Sequence, residues 1–272
     1  MKNQYKKNIL ITGATGLLGS YFYKKFKNRY KILKYPNRIE NINKFNKWIG
    51  KKEFEYFIHF AAATTNVKSK NYDKVNYVST VNILNSLNTN INLKYFLFIS
   101  TSHVYGFSNK KIIEKTKTKP INRYGLSKKK TEDFIIKYRN TYNYKIGIAR
   151  IFNFTGPKQR SGYFIPDIFK KIKNNNIIDN INTFRDFIHI DDVMDSLQLI
   201  INKKLEKPIN ISSGEKINLT KICKIINSLY FKKNITFGKK RGKDLYGDNK
   251  FLKSLGKKKF KNIQKIIKSY KK

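Results

Sequence analysis

The chain has a single cysteine, Cys223, so it can form no internal disulfide, and a cross-linked secreted scaffold is excluded. Proline is scarce, at five in 272 residues, and neither an internal repeat nor a low-complexity linker separates the halves. No apolar run reaches the roughly 20 residues of a membrane-spanning helix. The basic start MKNQYKK leads into ILITGATGLLG, whose glycines break it as a secretory or membrane segment. The expectation is a cytoplasmic globular protein, long enough for one large domain or two modest ones.

Acidic residues are also few: 17 Asp plus Glu against 59 Lys plus Arg give a formal net charge of +42. Such an excess ordinarily suggests nucleic acid. Here the lysines are scattered through nearly every segment and accompany abundant Asn, Ile, Tyr and Phe, residues that share A/T-rich codons. Biased base composition is a sufficient cause, and no specific nucleic-acid partner is expected. The diffuse positive field would still attract an anionic substrate.

The most informative stretch is NILITGATGLLG, residues 8–19. A short apolar run ending in Thr12 reads as a buried strand, and Gly13, Gly16 and Gly19 follow it at once. Glycines at these places remove side chains where a tight turn, a helix start and a dinucleotide pyrophosphate would coincide. Their G-x-x-G-x-x-G spacing differs from the ordinary G-x-G-x-x-G fingerprint. Residues 17–28 continue as a helix with Leu17, Leu18, Tyr21, Phe22 and Phe26 available for burial. YKILKY, 30–35, is the second strand. After it stand Pro36, Asn37 and Arg38 in place of the acidic residue that would bind a ribose diol, and a guanidinium suits a 2'-phosphate. NADP is therefore favoured over NAD.

Residues 39–50 predict a short helix, and EYFIHFAAA, 55–63, a strand whose small terminal residues admit a flat ring. His59 lies inside that strand and reads as structural. A helix over 71–90 carries Asn76, expected to bond to backbone, and KYFLFIS, 94–100, is the next strand. STSHVYG, 100–106, falls at that strand's carboxyl end, where open parallel sheets meet ligands. A loop over 107–121 precedes a helix from Tyr124. Tyr124 and Lys128 are four apart, on one helix face. An ammonium beside a phenol favours the phenolate and lowers a tyrosine pKa from about 10, giving a usable proton donor or acceptor. Thr101 could bond to the same substrate oxygen.

KIGIARIF, 145–152, is a further strand ending in NFTGP. Short apolar pieces with Pro166 follow, then an Asn-rich stretch at 174–182. FRDFIHIDDV, 184–193, joins a strand to an acidic helix start, with helix over 192–203. PINISSG, 208–214, is strand and turn, a helix runs from Leu219 to Tyr230, KKRGKD at 239–244 is a loop, and Ile263, Ile266 and Ile267 dock a last lysine-rich helix.

With these motifs in order, the chain resembles the extended short-chain dehydrogenase/reductase family of nucleotide-sugar epimerases, dehydratases and reductases. TGATGLLG, IHFAAA, STSHVYG, YGLSK, ARIFNFTGP, RDFIHIDDV and INISSG carry the resemblance over essentially the whole chain. It implies an α/β fold: a Rossmann-like parallel sheet with helices on both faces and a smaller C-terminal substrate-binding domain. The expected boundaries are 1–157 for the NAD(P) domain, with 184–206 returning to it, and 158–183 with 207–272 for the nucleotide-sugar domain. The resemblance sets Gly13, Thr15, Gly16, Leu17, Leu18, Gly19, Arg38, Ala61, Ala62, Ala63, Tyr124, Lys128 and Ile151 along NAD(P). It makes Thr101, Tyr124 and Lys128 catalytic, adds His103 as a candidate acid/base, and implies a homodimer. Thr101, Ser102, His103, Asn153, Arg185 and Arg241 would meet a nucleotide-diphosphate sugar, and no metal is called for.

Departures from the family pattern narrow the chemistry. Its 4,6-dehydratases carry adjacent Asp and Glu after the active-site Thr, where this chain has Ser102 and His103, so a dehydratase is disfavoured. The route from the second strand to IHFAAA is too short for a separate strand–helix unit. These features resemble 4-keto-sugar reductases, and the implied activity is NAD(P)H-dependent reduction of a nucleotide-linked 4-keto-6-deoxyhexose for surface polysaccharide. The alternatives are a nucleotide-sugar 4-epimerase with tightly bound NAD, or a non-catalytic cofactor- or RNA-binding protein of the same fold.

Overall fold

The computed structural model describes residues 7–50, 52–65, 71–179, 181–239 and 241–271; most of the basic start, and Lys240 of the KKRGKD loop, lie outside them. The chain divides into two compact units. Unit 1 comprises residues 1–104, 118–150 and 197–209, and unit 2 comprises 105–117, 151–196 and 210–272.

In unit 1, strands β1 (Asn8–Thr12), β2 (Lys31–Lys34), β3 (Tyr56–His59) and β4 (Tyr95–Thr101) alternate with helices α1 (Leu17–Phe26), α2 (Ile42–Ile49) and α3 (Ser79–Leu87). Helix α4 (Arg123–Tyr138) and strand β5 (Lys145–Ile151) follow. The sheet order is β2-β1-β3-β4-β5 and then β9 (Pro208–Ile211), and the pairs β1–β2, β1–β3 and β3–β4 are parallel. Among the described residues no strand lies outside β2, as the short route to β3 implies. The chain order reverses between β1 and β3, and such a switch point opens the crevice where dinucleotides bind.

Strand alternation explains why both faces are covered. Leu10, Phe57, Phe96, Phe98, Ile146 and Ile148 cluster with Phe45 of α2, Ile83, Leu84 and Leu87 of α3 and Ile135 of α4. Ile9, Ile11, Ile58, Leu97 and Ile99 point the other way and are equally buried. In α1 the buried residues are Gly19, Phe22 and Phe26, whereas Leu17, Leu18 and Tyr21 are only half-buried. The helix expected over 71–90 contains one π-turn, Lys74–Val78, just ahead of α3. A buried ion pair joins α4 to β5: Arg150 donates to both Glu132 oxygens, at 2.6 Å for its closest contact, and Ser100 donates to the same carboxylate.

Unit 2 contains β6 (Phe154–Thr155), α5 (Phe164–Lys173), β7 (Phe184–Arg185), β8 (Ile188–His189) and the start of α6 (Ile190–Lys203). It continues through β10 (Ile217–Asn218), α7 (Leu219–Tyr230), α8 (Lys250–Ser254) and α9 (Ile263–Lys268). Strand β10 pairs antiparallel with β7, and β6 pairs parallel with β8. Its core joins Ile165, Ile168 and Ile172 of α5, Ile222, Cys223 and Ile226 of α7 and Ile263, Ile266 and Ile267 of α9. Burial raises the Cys223 thiol to about 12, so it is an inert core residue.

Three local expectations are corrected. Residues 164–173, read as short apolar pieces, are helical because Pro166 lies in the first turn, where no N–H is needed. The strand over 55–63 ends at His59, and α6 starts at Ile190 instead of 192. The compact units also fall differently from the expected domains: 105–117, 151–157 and 184–196 belong to unit 2, and 207–209 to unit 1.

Removing one partner of a buried ion pair strands the other charge. Glu132→Ala is expected to destabilise the fold by about 3–5 kcal/mol in urea denaturation. A loss below about 1 kcal/mol, the range of an exposed pair, would contradict this account.

Candidate functional site

The dinucleotide cradle in unit 1 is built by backbone approach. Gly13 has φ +65°, and a Cβ there would stand 2.6 Å from the Ala61 nitrogen. A Cβ on Gly19 would lie 2.3 Å from the Gly13 carbonyl oxygen, so the strand–turn–helix passage closes only with glycine at both places. Gly16 is the N-cap of α1, which has no side-chain cap and no acidic residue in its first turn. Its first-turn amides are thus left without a side-chain cap at the positive end of the helix dipole, the environment a pyrophosphate needs. Thr15 and Gly16 are exposed, and Leu17 and Leu18 half-buried, along this turn. The residues fit a dinucleotide.

At the end of β2, Tyr35 is buried and Pro36, Asn37 and Arg38 are exposed. The Tyr35 hydroxyl donates to the Arg38 carbonyl at 3.4 Å. At the end of β3, Ala61 and Ala62 are half-buried and Ala63 is buried. Asn76 accepts from the Ala63 amide at 2.8 Å and donates to its carbonyl at 2.9 Å, the bonding to backbone that was expected of it. The same amide nitrogen donates to the Ser127 hydroxyl on α4 at 2.9 Å. Asn76 and Ser127 were absent from the sequence-derived site, and a stretch already rich in Asn, Ser and Thr carries no signal that singles Asn76 out.

His59 is structural, as expected. Its Nδ1 lies 2.9 Å from the Thr12 hydroxyl and its Nε2 3.1 Å from that of Thr80. Burial, aided by Lys128, lowers its pKa to about 3, so it is neutral at physiological pH.

Thr101 ends β4, Ser102 and His103 form the tight turn after it, and Tyr124 and Lys128 lie on α4. Thr101, Ser102 and Lys128 are buried, and His103 and Tyr124 are half-buried. The His103 ring meets the Tyr124 ring edge-on at 5.7 Å, and the His103 amide donates to the Thr101 hydroxyl at 3.3 Å. Thr101, His103 and Tyr124 are thus brought together. Lys128 is held differently from the simple helix-face picture: its ammonium donates to the Ile99 carbonyl at 2.8 Å and lies 4.5 Å from the Phe98 ring centroid. Burial lowers its pKa to about 7, against the opposing pull of Glu132. Ile151, at the end of β5, is buried.

In unit 2, Arg185 is half-buried and heavily constrained. One guanidinium nitrogen donates to the Thr183 hydroxyl at 3.0 Å, to the Phe184 carbonyl at 2.9 Å and to the Lys243 carbonyl. The Thr183 hydroxyl donates in turn to Asp244 at 3.0 Å. Burial lowers the Arg185 pKa while Asp244 raises it; a guanidinium so placed still keeps its charge at neutral pH. It lies 5.7 Å from the Phe107 ring centroid, and Lys243 lies 5.8 Å from the same ring. Phe107, Asn109, Arg241 and Lys243 line an open recess of about 420 Å³. Arg185 and Arg241 therefore both belong to one cationic surface around Phe107. Asn153 donates to the backbone carbonyl of Asp186 at 3.3 Å.

Residues 9–218 match the sequence profile of the NAD dependent epimerase/dehydratase family. The chain is 28% identical over 220 residues to GDP-6-deoxy-D-talose 4-dehydrogenase of Aggregatibacter actinomycetemcomitans, covering 76% of this chain and 74% of that protein. It is 29% identical over 281 residues to a putative UDP-glucose 4-epimerase of Methanocaldococcus jannaschii, covering 91% and 92%. RMD from Pseudomonas aeruginosa, solved with NADPH, superposes with a TM-score of 0.86 at 18% identity over 97% of each chain, a likeness of fold.

The folded Lys128 pKa of about 7 lies below the 10.5 of an unburied lysine. Between these values the unfolded chain holds a proton that the folded one lacks, so this residue's contribution makes stability rise with pH across that window. The stability of the wild type relative to Lys128→Met should therefore increase from pH 7 to about 10 in paired urea melts. A difference independent of pH would rule out the buried amine as its source.

Proposed function

The chain belongs to the NAD dependent epimerase/dehydratase family and is an NAD(P)-dependent enzyme, and on this basis we propose that it reduces a nucleotide-linked 4-keto-6-deoxyhexose. The observation that carries this reading is the turn Thr101-Ser102-His103, which places hydroxyls and an imidazole after β4 where water elimination would need paired carboxylates. The similarity to a GDP-6-deoxy-sugar 4-dehydrogenase supports it, because that name describes the same bond at C4 worked in the opposite direction. A cytoplasmic role in supplying surface polysaccharide precursors accords with this product class.

When bound, NAD(P)H supplies the hydride. Gly13, Thr15, Gly16, Leu17, Leu18 and Gly19 hold the pyrophosphate turn, Ala61, Ala62, Ala63 and Ile151 line the coenzyme, and Arg38 meets a 2'-phosphate. Tyr124 gives its hydroxyl proton to the developing alkoxide at C4, and Thr101 donates a hydrogen bond to the same oxygen. Lys128 holds the nicotinamide ribose and contributes positive potential near Tyr124. Ser102 and His103 border the sugar. Arg185, Arg241 and Asn153 bind the nucleotide diphosphate, and the constraint on Arg185 means that little side-chain freedom remains to be lost on binding. Homodimerisation accords with the exposed apolar residues Val78 on the π-turn and Leu126 and Ile136 on α4.

The second reading, a 4-epimerase, is favoured by the near-complete coverage of the archaeal relative. Screening dTDP-, CDP-, GDP- and UDP-linked 4-keto-6-deoxy sugars with NADH and NADPH separates the two. A reductase oxidises one coenzyme per product, whereas an epimerase purifies with oxidised coenzyme and turns over without added reductant. On the sugar so identified, Tyr124→Phe should lower kcat at least about 100-fold while coenzyme binding is retained. Near wild-type turnover would sink the proton-donor role.

Arg38→Asp should weaken NADPH binding far more than NADH binding in calorimetric titrations. Equal losses for the two coenzymes would remove the 2'-phosphate contact.

A further inference from the structure

Asn122, packed beside the turn after β4, carries an amide whose orientation is set independently by a backbone group. It is the N-cap of α4, two residues before Tyr124, and its Oδ1 accepts from the Gly125 amide at 2.8 Å. A backbone N–H can only donate, so this bond fixes which end of the side chain is oxygen. The other end, Nδ2, therefore carries hydrogens, and it lies 3.0 Å from His103 Nδ1. A donor facing Nδ1 requires that nitrogen to present its lone pair, so the proton of the neutral ring sits on Nε2.

The backbone holds this arrangement in place. The Ile121 amide donates to the His103 carbonyl at 3.1 Å, and a Cβ on Gly125 would come within 2.2 Å of the same oxygen. The turn after β4 and the first turn of α4 are thus closely packed around His103. We propose that Asn122 is a positioning residue that holds His103 as the neutral Nε2–H imidazole, so that this ring meets the substrate as a hydrogen-bond donor and not as a base. The tautomer follows from the hydrogen bonds alone; its effect on turnover rests on the reductase reading.

Asn122→Asp is the discriminating variant. Aspartate caps a helix as well as asparagine does, so α4 keeps its start, but its second oxygen can only accept and will draw the proton onto Nδ1. The chain has three histidines, so the ring nitrogens can be assigned by ¹⁵N NMR with His59 and His189 as internal references. At about pH 8, where an ordinary imidazole is neutral, wild-type His103 should show unprotonated Nδ1 and protonated Nε2, and Asn122→Asp should reverse them with an unchanged melting temperature. In the keto-sugar assay the same variant should lose about tenfold in kcat with little change in KM, the cost of one transition-state hydrogen bond. Adding it to His103→Ala should then cause no further loss.

Protonated Nδ1 in the wild type, an unchanged pattern in Asn122→Asp, or additive losses in the double variant would each overturn the proposal. Reversal of the tautomer with full turnover would overturn the donor role of His103 while leaving the tautomer assignment in place.

Discussion

One buried residue, Asn76, joins several parts of unit 1. Its side-chain amide closes two hydrogen bonds with Ala63 after β3 and a third with Ser127 on α4, and its backbone carbonyl accepts from Thr80 at 2.9 Å and Thr131 at 2.7 Å. A buried amide is costly when unpaired, so the segment after β3, the helix carrying Tyr124 and the helix after the π-turn are fixed by satisfying a single residue. The π-turn itself is the local deformation that accompanies this. At Ser79 the amide reaches back to the Lys74 carbonyl, one residue further than an α-helix allows.

Around this knot, unit 1 holds two polar groups that burial would ordinarily discharge. His59 resolves the problem by remaining neutral between two hydroxyls. Lys128 is balanced between forms: Ile99 and the Phe98 face stabilise the ammonium, Glu132 adds attraction, and burial opposes all of them. Glu132 is itself committed to Arg150 and Ser100. The charge state of the lysine near Tyr124 is consequently set by a chain of partners extending through α4 to β5, and the tyrosine–lysine spacing alone says little about it.

Much of the fold was legible because periodicity and punctuation agreed. The apolar run before Gly13, the Leu219–Tyr230 pattern and the Ile263, Ile266, Ile267 spacing all became the elements they suggested. Pattern failed where a rule of thumb met its exception, as at Pro166, whose missing N–H is harmless in a first helical turn. In the candidate site, residue types and spacing pointed to Thr101, Tyr124 and Lys128, but partner choice was invisible. Nothing in Tyr-x-x-x-Lys says that the ammonium bonds to the Ile99 carbonyl, and nothing in PINRYGLSK says that Asn122 bonds in two directions. Such bonds depend on which loop the fold brings alongside, information that sequence distance does not contain.

The same distinction governs how the positive charge is to be read. With 59 basic residues against 17 acidic ones, an exposed lysine is an uninformative observation in this chain. Exposed cations keep their hydration and are screened within about 10 Å at moderate salt. A cation whose donors are fixed by carbonyls and hydroxyls has lost that freedom already, and the fold must compensate its burial. Arg185 meets this description through Thr183, Phe184 and Lys243, whereas exposed Arg38 and Arg241 do not. Charge number therefore sets the long-range field, whereas the fixed partners of Arg185 give it a local orientation that an exposed lysine lacks. A sequence in which lysine is common hides a cation that the fold holds in place among many solvated ones, and only the hydrogen-bond partners separate them.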